Sequence, residues 1–141
     1  MPVFISDDET GEFYGIPEFD RAAVKVGMHS GGVASDPNTL DREVSAADIE
    51  PDILPFLQRS LYGTTGEVIE SSVCMYTMTP DEDFVLDRHP EWDRVVIAAG
   101  FSGHGFKFTP VIGEYLADLV MQPEKAAIAD FSVGRFAAAR H

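Results

Sequence analysis

The stretch best suited to chemistry is Gly-Phe-Ser-Gly-His-Gly-Phe-Lys-Phe at residues 100–108. Three glycines within six residues allow the backbone to turn sharply and another molecule to approach it closely. An apolar run at 95–99 precedes it and an amphipathic run at 111–120 follows, which predicts a strand, a tight loop and a helix. A loop that opens a helix presents free N–H groups and the positive end of the helix dipole, and Lys107 adds a positive charge. Such a place suits an anion or a polarised carbonyl group.

Four further side chains are candidates on type alone. Lys25 and His29 share one face of a predicted strand, Tyr14 lies on the strand before it, and Cys74 lies in a later one. Each also has a structural explanation: a solvated lysine, a histidine or tyrosine with a local partner, and a cysteine buried as a small apolar residue. The glycine loop has one too, as a connection that simply needs glycine.

Other signals narrow the function by exclusion. The sequence shows no Ser-His-Asp motif, no metal-ligand spacing among its four histidines, no Walker loop and no G-x-G-x-x-G fingerprint. A formal net charge of −14 argues against binding nucleic acid or an anionic membrane surface. No apolar run approaches the ~20 residues that span a bilayer. The single cysteine excludes an intrachain disulfide, and the N-terminus lacks a basic signal-peptide region, so we expect a cytoplasmic protein.

The first half of the chain predicts a hairpin and a helix that would position these residues. Strands are expected at 3–5, 12–16 and 22–29, the last with Lys25 and His29 on one face. Ser45 and Asp48 form a capping-box pattern, and apolar residues then recur at helical spacing over 53–61. Pro55 is unsuited to a helix interior, so a kink or a late start is expected there.

The second half predicts a long strand at 67–78 that pairs with 84–86, then the strand at 95–99. The helix beyond Lys107 is expected to bury Ile112, Leu116, Leu119 and Val120 on one side and to end before Pro123. The predicted fold class is α+β. Residues 12–29 and 67–88 are expected to form one mostly antiparallel sheet with a covering helix, followed by a strand–loop–helix segment.

Several motifs together resemble a known family. They are Cys-Met-Tyr-Thr at 74–77, Thr-Pro-Asp-Glu at 79–82, His-Pro at 89–90, the 100–108 stretch, and in the first half Tyr-Gly-Ile-Pro at 14–17 and Val-Lys-Val-Gly-Met-His at 24–29. In combination they resemble the C-terminal part of the flavoprotein family of monomeric sarcosine oxidase and N-methyltryptophan oxidase. The resemblance covers about residues 1–136.

The resemblance implies FAD as the cofactor. A cysteine at the position of Cys74 forms a thioether with the 8α carbon of the flavin in such enzymes. The loop of Gly103, His104 and Gly105 is then expected to lie against the isoalloxazine ring. The nearby helix N-terminus and positive charge would stabilise the anionic reduced flavin.

The resemblance also implies a reaction. The residue matching Lys107 helps hold the substrate carboxylate, and the one matching Lys25 sits over the flavin and assists the reaction with oxygen. The residues matching Tyr14 and His29 line the substrate pocket. The expected reaction oxidises a secondary N-methyl amine to an imine, which hydrolyses to release formaldehyde, while O2 becomes hydrogen peroxide. A related amino-acid oxidase with another amine substrate is an alternative.

The resemblance also implies how the chain corresponds to the domains of the family. Residues 1–92 correspond to part of the substrate domain, 93–122 to the C-terminal strand, loop and helix of the FAD-binding domain, and 123–141 to a tail. The family's N-terminal dinucleotide-binding half is expected to be a missing partner. Two hypotheses follow: an oxidase part that is active only with that half, or a non-catalytic piece that keeps the fold. The isolated chain is expected to be colourless, inactive and prone to self-association through 95–99.

Overall fold

A computed structural model describes residues 1–18 and 20–139. The chain divides into two compact units, Met1–Cys74 and Met75–His141, which are described separately below. The domain limits expected from the family concern the intact flavoprotein and stay a prediction. The end of the expected tail, residues 140–141, lies outside the described residues.

The first unit is built on a three-stranded antiparallel sheet. Its strands are β1 (Phe4–Asp8), β2 (Gly11–Pro17) and β3 (Val24–Met28), in that spatial order. The sequence predicted strands at 3–5, 12–16 and 22–29, the last from the alternation of its side chains between two faces, and the structure confirms these strands. The register sets Phe13 opposite Met28 and places the next residues along, Tyr14 and Gly27, opposite each other on the other face.

One face of this sheet carries the core of the first unit. Phe13 and Phe56 are both fully buried, and their rings stack with centroids 4.2 Å apart. Phe56 belongs to helix α2 (Ile53–Ser60), and Phe4 of β1 packs against it at 6.2 Å. Burying one such aromatic side chain stabilises a fold by about 1.5–3 kcal/mol. The helix therefore covers the face of the sheet that carries Phe13, and it does not cover the opposite face, which carries Tyr14.

The approach to α2 follows its local sequence. A short helix α1 (Ala46–Ile49) begins after Ser45, whose N–H and hydroxyl donate to the Asp48 carboxylate at 2.8 and 2.7 Å, as the capping-box pattern predicted. Pro55 lies in the first turn of α2, where a backbone N–H has no intrahelical acceptor. The helix therefore starts late enough to tolerate the proline, as expected.

The second unit combines a two-stranded sheet with a long helix. Strand β4 (Val85–Arg88) pairs antiparallel with β5 (Val96–Ala99), with Leu86 opposite Ala98. A 3-10 turn (Phe106–Phe108) follows the glycine loop and leads directly into α3 (Thr109–Met121). Two further 3-10 segments, Ala129–Phe131 and Val133–Ala139, end the described chain.

The core of the second unit lies between β4 and α3. Its buried centre is Phe84, Leu86 and Ile112, and partly buried neighbours surround it: Phe101, Tyr115, Leu116 and Phe131. Leu119 is also fully buried. The predicted apolar side of α3 is thus right for three of its four residues. Val120 is 59% exposed, and Tyr115 faces the core instead.

The prediction of a strand at 67–78 paired with 84–86 is wrong. No residue between 67 and 78 lies in a strand, and Val68 and Ile69 are 50% and 60% exposed. The two sheets are separate, so 12–29 and 67–88 do not form one sheet. The reason is that β-branched composition reports how side chains fit a pleated surface and cannot supply the partner strand that a ladder requires. β4 finds its partner in β5.

A side chain from β4 completes helix α3. The Arg88 guanidinium donates to the carbonyl oxygens of Leu119 and, at 2.9 Å, of Gln122. The last turn of α3 contains no basic residue of its own. Arg88 therefore both bonds the terminal carbonyls and places a positive charge at the negative end of the helix dipole.

Candidate functional site

The face of the first unit's sheet opposite α2 brings together three residues that the sequence singled out. Tyr14 and Gly27 are opposite each other, and the Lys25 Nζ lies 5.7 Å from the centroid of the Tyr14 ring. A Cβ on Gly27 would stand 2.6 Å from the Tyr14 hydroxyl oxygen, so the glycine lets the ring lie across β3. His29 follows on the same face, and its backbone N–H donates to the Glu12 carbonyl at 2.7 Å.

The arrangement of this face has chemical meaning. An ammonium, a phenol and an imidazole share a surface that α2 does not cover, because α2 packs on the Phe13 side. Ile5 of β1, opposite Tyr14, is 70% exposed and adds an apolar neighbour. The face therefore offers one positive charge, two rings that can form hydrogen bonds and an apolar edge.

The glycine loop of the second unit adopts conformations that require glycine. Gly100 and Gly103 have φ of +64° and +81°. A Cβ on Gly100 would overlap the Thr79 methyl group, and one on Gly105 would stand 2.5 Å from the Phe101 ring. The bare backbone is therefore needed for close packing as well as for the turn.

Ser102 is a functional candidate that sequence reasoning missed. It has φ of +48°, which costs a non-glycine residue about 1–2 kcal/mol. Its side chain is only 4% exposed, its Oγ donates to the Gly100 carbonyl at 3.2 Å, and its N–H donates to the Thr77 carbonyl at 3.2 Å. The only signal in the sequence was its place between the glycines.

A pocket of about 460 Å³ opens beside this loop. Its walls are residues 75–77 on one side and 98–103 with Gly105 and Phe106 on the other. None of these lining side chains is charged, and three of the lining residues are small: Ala98, Ala99 and Gly100. Its volume falls in the usual range of ~300–1,000 Å³ for small-molecule sites. The pocket is thus of a size and composition that a small, mostly uncharged ligand could occupy.

Of the predicted loop residues, Gly103 and Gly105 line the pocket, whereas His104 contacts the core side. Its Nδ1 lies 3.2 Å from the Ser102 carbonyl oxygen, and its ring packs on Phe84 with centroids 4.9 Å apart. A carbonyl oxygen can only accept, so this contact favours the tautomer protonated at Nδ1. The expected contact of His104 with a cofactor stays a prediction.

Lys107 lies in the 3-10 turn, exposed, with its Nζ 5.1 Å from the centroid of the Phe108 ring. The predicted order of strand, glycine loop and helix is confirmed, with one 3-10 turn between the loop and α3. The Phe108 N–H donates to the Gly105 carbonyl at 3.0 Å, and α3 begins only at Thr109, with Pro110 in its first turn. Proline is favoured there because its missing N–H would have had no partner. Lys107 precedes Phe108, the residue that caps the N-terminus of α3, so its positive charge lies beside the start of the helix, as the sequence predicted.

Cys74 is a free, exposed thiol. The alternative that it is buried as a small apolar residue is therefore wrong. It directly precedes Met75, the first residue of the pocket wall. The expectation that Cys74 and Lys107 meet around one ligand joins residues of different units and stays a prediction.

Two classes of site find no support in the described part of the chain. Among residues 1–18 and 20–139, no cluster of histidine, cysteine or acidic side chains has a geometry that could hold a metal ion. Over the same residues, no helix combines the length and the apolar character needed to cross a bilayer.

Residues 1–119 match the family described as FAD dependent oxidoreductase. The chain is a member of this family.

Its relatives include oxidases of N-methyl amino acids, which confirms the resemblance seen in the sequence. The monomeric sarcosine oxidase of Bacillus sp. (strain NS-129) is 49% identical over 119 residues, 84% of this chain and 31% of the relative. The peroxisomal sarcosine oxidase of Homo sapiens is 45% identical over 129 residues, 87% and 32% of the two chains. The N-methyl-L-tryptophan oxidase of Escherichia coli O157:H7 is 35% identical over 141 residues, 96% and 37%. The chain thus spans about a third of the length of these relatives.

Proposed function

We propose that this chain forms the amine-facing and flavin-contacting part of an FAD-dependent oxidase of secondary N-methyl amino acids such as sarcosine. The observation that carries the proposal is the 49% identity to a monomeric sarcosine oxidase across 84% of the chain. Residues 1–119, matched by the family, include both the open sheet face and the glycine loop. The amine would lose two electrons and two protons to become an imine, and O2 would gain them to become hydrogen peroxide. Water would then split the imine into formaldehyde and a primary amine.

The pocket residues fit the ring of a flavin. The lining has no charged side chain, the residues at 98–100 are small, and Gly103 and Gly105 belong to the lining. The Cys74 thiol, exposed and next to the wall in sequence, is the group that would attach FAD covalently. FAD, when bound, supplies the electron-accepting chemistry, while the protein binds, orients and tunes.

Four side chains of this chain would bind the substrate and assist the reaction with oxygen. The Lys107 ammonium would bind the substrate carboxylate in a charge-assisted hydrogen bond. Tyr14 and His29 would line the amine pocket on the open face of the sheet. The Lys25 Nζ lies 5.7 Å from the centroid of the Tyr14 ring. Its ammonium group would supply the positive charge where oxygen takes up negative charge.

A fusion protein tests this function. The dinucleotide-binding half of the Arthrobacter sp. (strain TE1826) monomeric sarcosine oxidase, which is 45% identical to this chain over 136 residues, would be joined to the N-terminus of this chain. We expect a yellow protein that makes peroxide from sarcosine and none from glycine, which lacks the N-methyl group. The same half without this chain is the control.

Other results of the same assay separate the alternatives. A yellow fusion that oxidises a different amine and ignores sarcosine would identify another amino-acid oxidase. A yellow fusion that makes no peroxide from any N-methyl amino acid would overturn the reaction and leave a non-catalytic role.

The isolated chain should behave differently from the fusion. We expect it to be colourless, inactive on sarcosine and self-associating through residues 95–99. In the described part of the second unit, β5 pairs with β4 alone, so its other edge is open to another chain. Light scattering should show that Val95→Lys, which puts a charge beside β5, reduces the association. A monomeric yellow protein that makes peroxide would contradict this expectation.

We propose a cytoplasmic location for the protein, since an exposed, unpaired thiol such as that of Cys74 stays reduced in a reducing compartment. Cell fractionation with an antibody against the chain tests the location.

A further inference from the structure

The C-terminal segment is attached to the turn at residues 79–83 through one arginine. The Arg135 Nε donates to Asp81 Oδ2 at 2.7 Å, and its Nη2 donates to Asp81 Oδ1 at 3.0 Å and to the Asp83 carbonyl at 3.0 Å. The Arg135 side chain is only 14% exposed, and its guanidinium lies 4.1 Å from the centroid of the Phe136 ring. A two-pronged contact of this kind fixes orientation as well as distance, which a lysine cannot do.

The turn that Arg135 grips is under strain. Glu82 has φ of +62°, a conformation that disfavours any residue but glycine. The turn is closed by the Thr79 hydroxyl, which donates to the Asp83 carbonyl at 2.7 Å, and by the Asp83 N–H, which donates to Asp81 Oδ1 at 3.2 Å. Hydrogen bonds from Arg135 lower the pKa of the Asp81 carboxyl well below its usual range. The charged form of Asp81 is therefore the one that holds the turn.

The same turn contacts the pocket. The Thr79 methyl group fills the space where a side chain on Gly100 would stand, and Gly100 is part of the pocket wall. Two residues earlier, the Thr77 carbonyl accepts the Ser102 N–H at 3.2 Å. The wall at 75–77 belongs to no strand, so contacts such as these two hold it against the glycine loop.

We propose that Arg135 is a positioning residue for the pocket: it holds the turn at 79–83, and the turn holds the wall at 75–77 against the loop at 100–105. The inference rests on the proposed function only in taking the ligand of this pocket to be the flavin ring. Arg135 lies beyond residues 1–119, which the family match covers, although the alignment with the Streptomyces avermitilis monomeric sarcosine oxidase extends over 98% of the chain. The C-terminal segment thereby sets the geometry of a site that it does not line.

The first test needs no flavin. Hydrogen–deuterium exchange of the 141-residue chain would be followed by mass spectrometry in peptides covering 75–83 and 100–105. Arg135→Lys keeps the charge and loses the two-pronged contact, so we expect exchange to rise about tenfold or more in both peptides. Peptides covering β4 and α3 should be unchanged. Arg88→Lys is the matched control, because Arg88 also bonds two groups in the same unit but at the end of α3.

Either of two results would overturn the proposal. Exchange that rises in 75–83 and stays at the wild-type rate in 100–105 would show that the turn does not position the loop. Exchange that rises equally in β4 and α3 would show a general loss of stability. Asp81→Asn, which keeps the shape and removes the charge, should reproduce the effect of Arg135→Lys, and failure to do so also contradicts the mechanism.

The second test uses the fusion protein described above. Arg135→Lys should shift the visible absorption bands of the bound flavin, whereas Arg88→Lys should leave them in place. Identical spectra for the wild type and Arg135→Lys would contradict the link to the flavin. A fusion without any flavin would refute the proposed function and leave the exchange result to decide the role of Arg135.

Discussion

The ring of Tyr76 lies so close to Gly103 that a Cβ on the glycine would stand 2.5 Å from Tyr76 Cε2. Gly103 has φ of +81°, so its backbone conformation and its contact with Tyr76 exclude a side chain for two independent reasons. Tyr76 and Gly103 stand on the two walls of the pocket, and their contact joins those walls. Neither residue type reveals this relationship in the sequence, since the two positions belong to different segments.

Gly103→Ala should destabilise the second unit. The positive φ alone costs about 1–2 kcal/mol, and displacement of the Tyr76 ring adds to it. Gly113→Ala is the control: Gly113 lies in α3, and apart from its chain neighbours and the helix backbone no atom lies within 4 Å of an added Cβ, so alanine should stabilise the helix by about 1 kcal/mol. Urea unfolding followed by the fluorescence of Trp92, the one tryptophan, measures both. Equal midpoints for the two variants would contradict the argument.

The stability of the first unit should depend on pH through Asp8. A hydrogen bond from Arg59 at 2.8 Å, and further ones from Thr10, lower the pKa of Asp8 from 3.8 to about 2. A lowered folded-state pKa means that the stabilisation is fully present above pH 3.8 and is lost as the pH falls through about 2. An NMR titration of the Asp8 carboxyl carbon measures this pKa.

Two arginine variants make the Asp8 titration specific. Arg59→Gln should return the pKa of Asp8 towards its ordinary value. Arg21→Gln, which breaks the 3.0 Å ion pair with Glu70 in the same unit, should not change it. An Asp8 pKa near 3.8 in the unmodified chain would show that the contact with Arg59 is absent in solution.

The first unit was predictable because its patterns are local. A period of two along β3 put Lys25 and His29 on one face, and helical spacing revealed α2. The register of β2 against β3 adds Tyr14 to that face. The stretch at 67–78 was not predictable, since its β-branched residues have strand composition without a strand partner. Local sequence states a preference, and only the rest of the chain decides whether a ladder forms.

The candidate site divides in the same way. The glycine loop and Lys107 stand out in the sequence by residue type and spacing. The contacts that shape the loop come from Thr77, Thr79 and, through Asp81, from Arg135, which is 54 residues away from that aspartate. No periodicity connects positions so far apart, so the positioning role of Arg135 became visible only in the fold.

Lys25 and Lys107 should affect different halves of the proposed reaction. In the fusion protein, Lys25→Met should slow the reaction with oxygen by about 10²- to 10³-fold, the usual cost of removing one charge-stabilising donor. It should leave reduction by sarcosine nearly unchanged. Lys107→Met should instead raise KM for sarcosine and leave the reaction with oxygen intact. Stopped-flow measurement of the two half-reactions separates them, and equal effects of both variants would refute the assigned roles.

Cys74→Ser should remove the covalent link to the flavin. The wild-type fusion should keep its yellow colour in the pellet after acid precipitation, whereas the variant should release the colour into the supernatant. Cys74 is the one cysteine of this chain, so no second thiol on it can take over the attachment. Acid-stable colour in the variant would point to an attachment elsewhere.

Arg88 also bears on the order in which the second unit is made. Helix α3 has 13 residues, a length at which an isolated helix is marginal in water, and its C-terminal cation comes from a strand 31 residues earlier than Leu119. A ribosome that adds about 5–20 residues per second delivers Arg88 roughly 2–6 s before the helix end that it caps. Synthesis from the N-terminus therefore supplies Arg88 before the helix end that it bonds, whereas a chain refolding from denaturant has both present from the start.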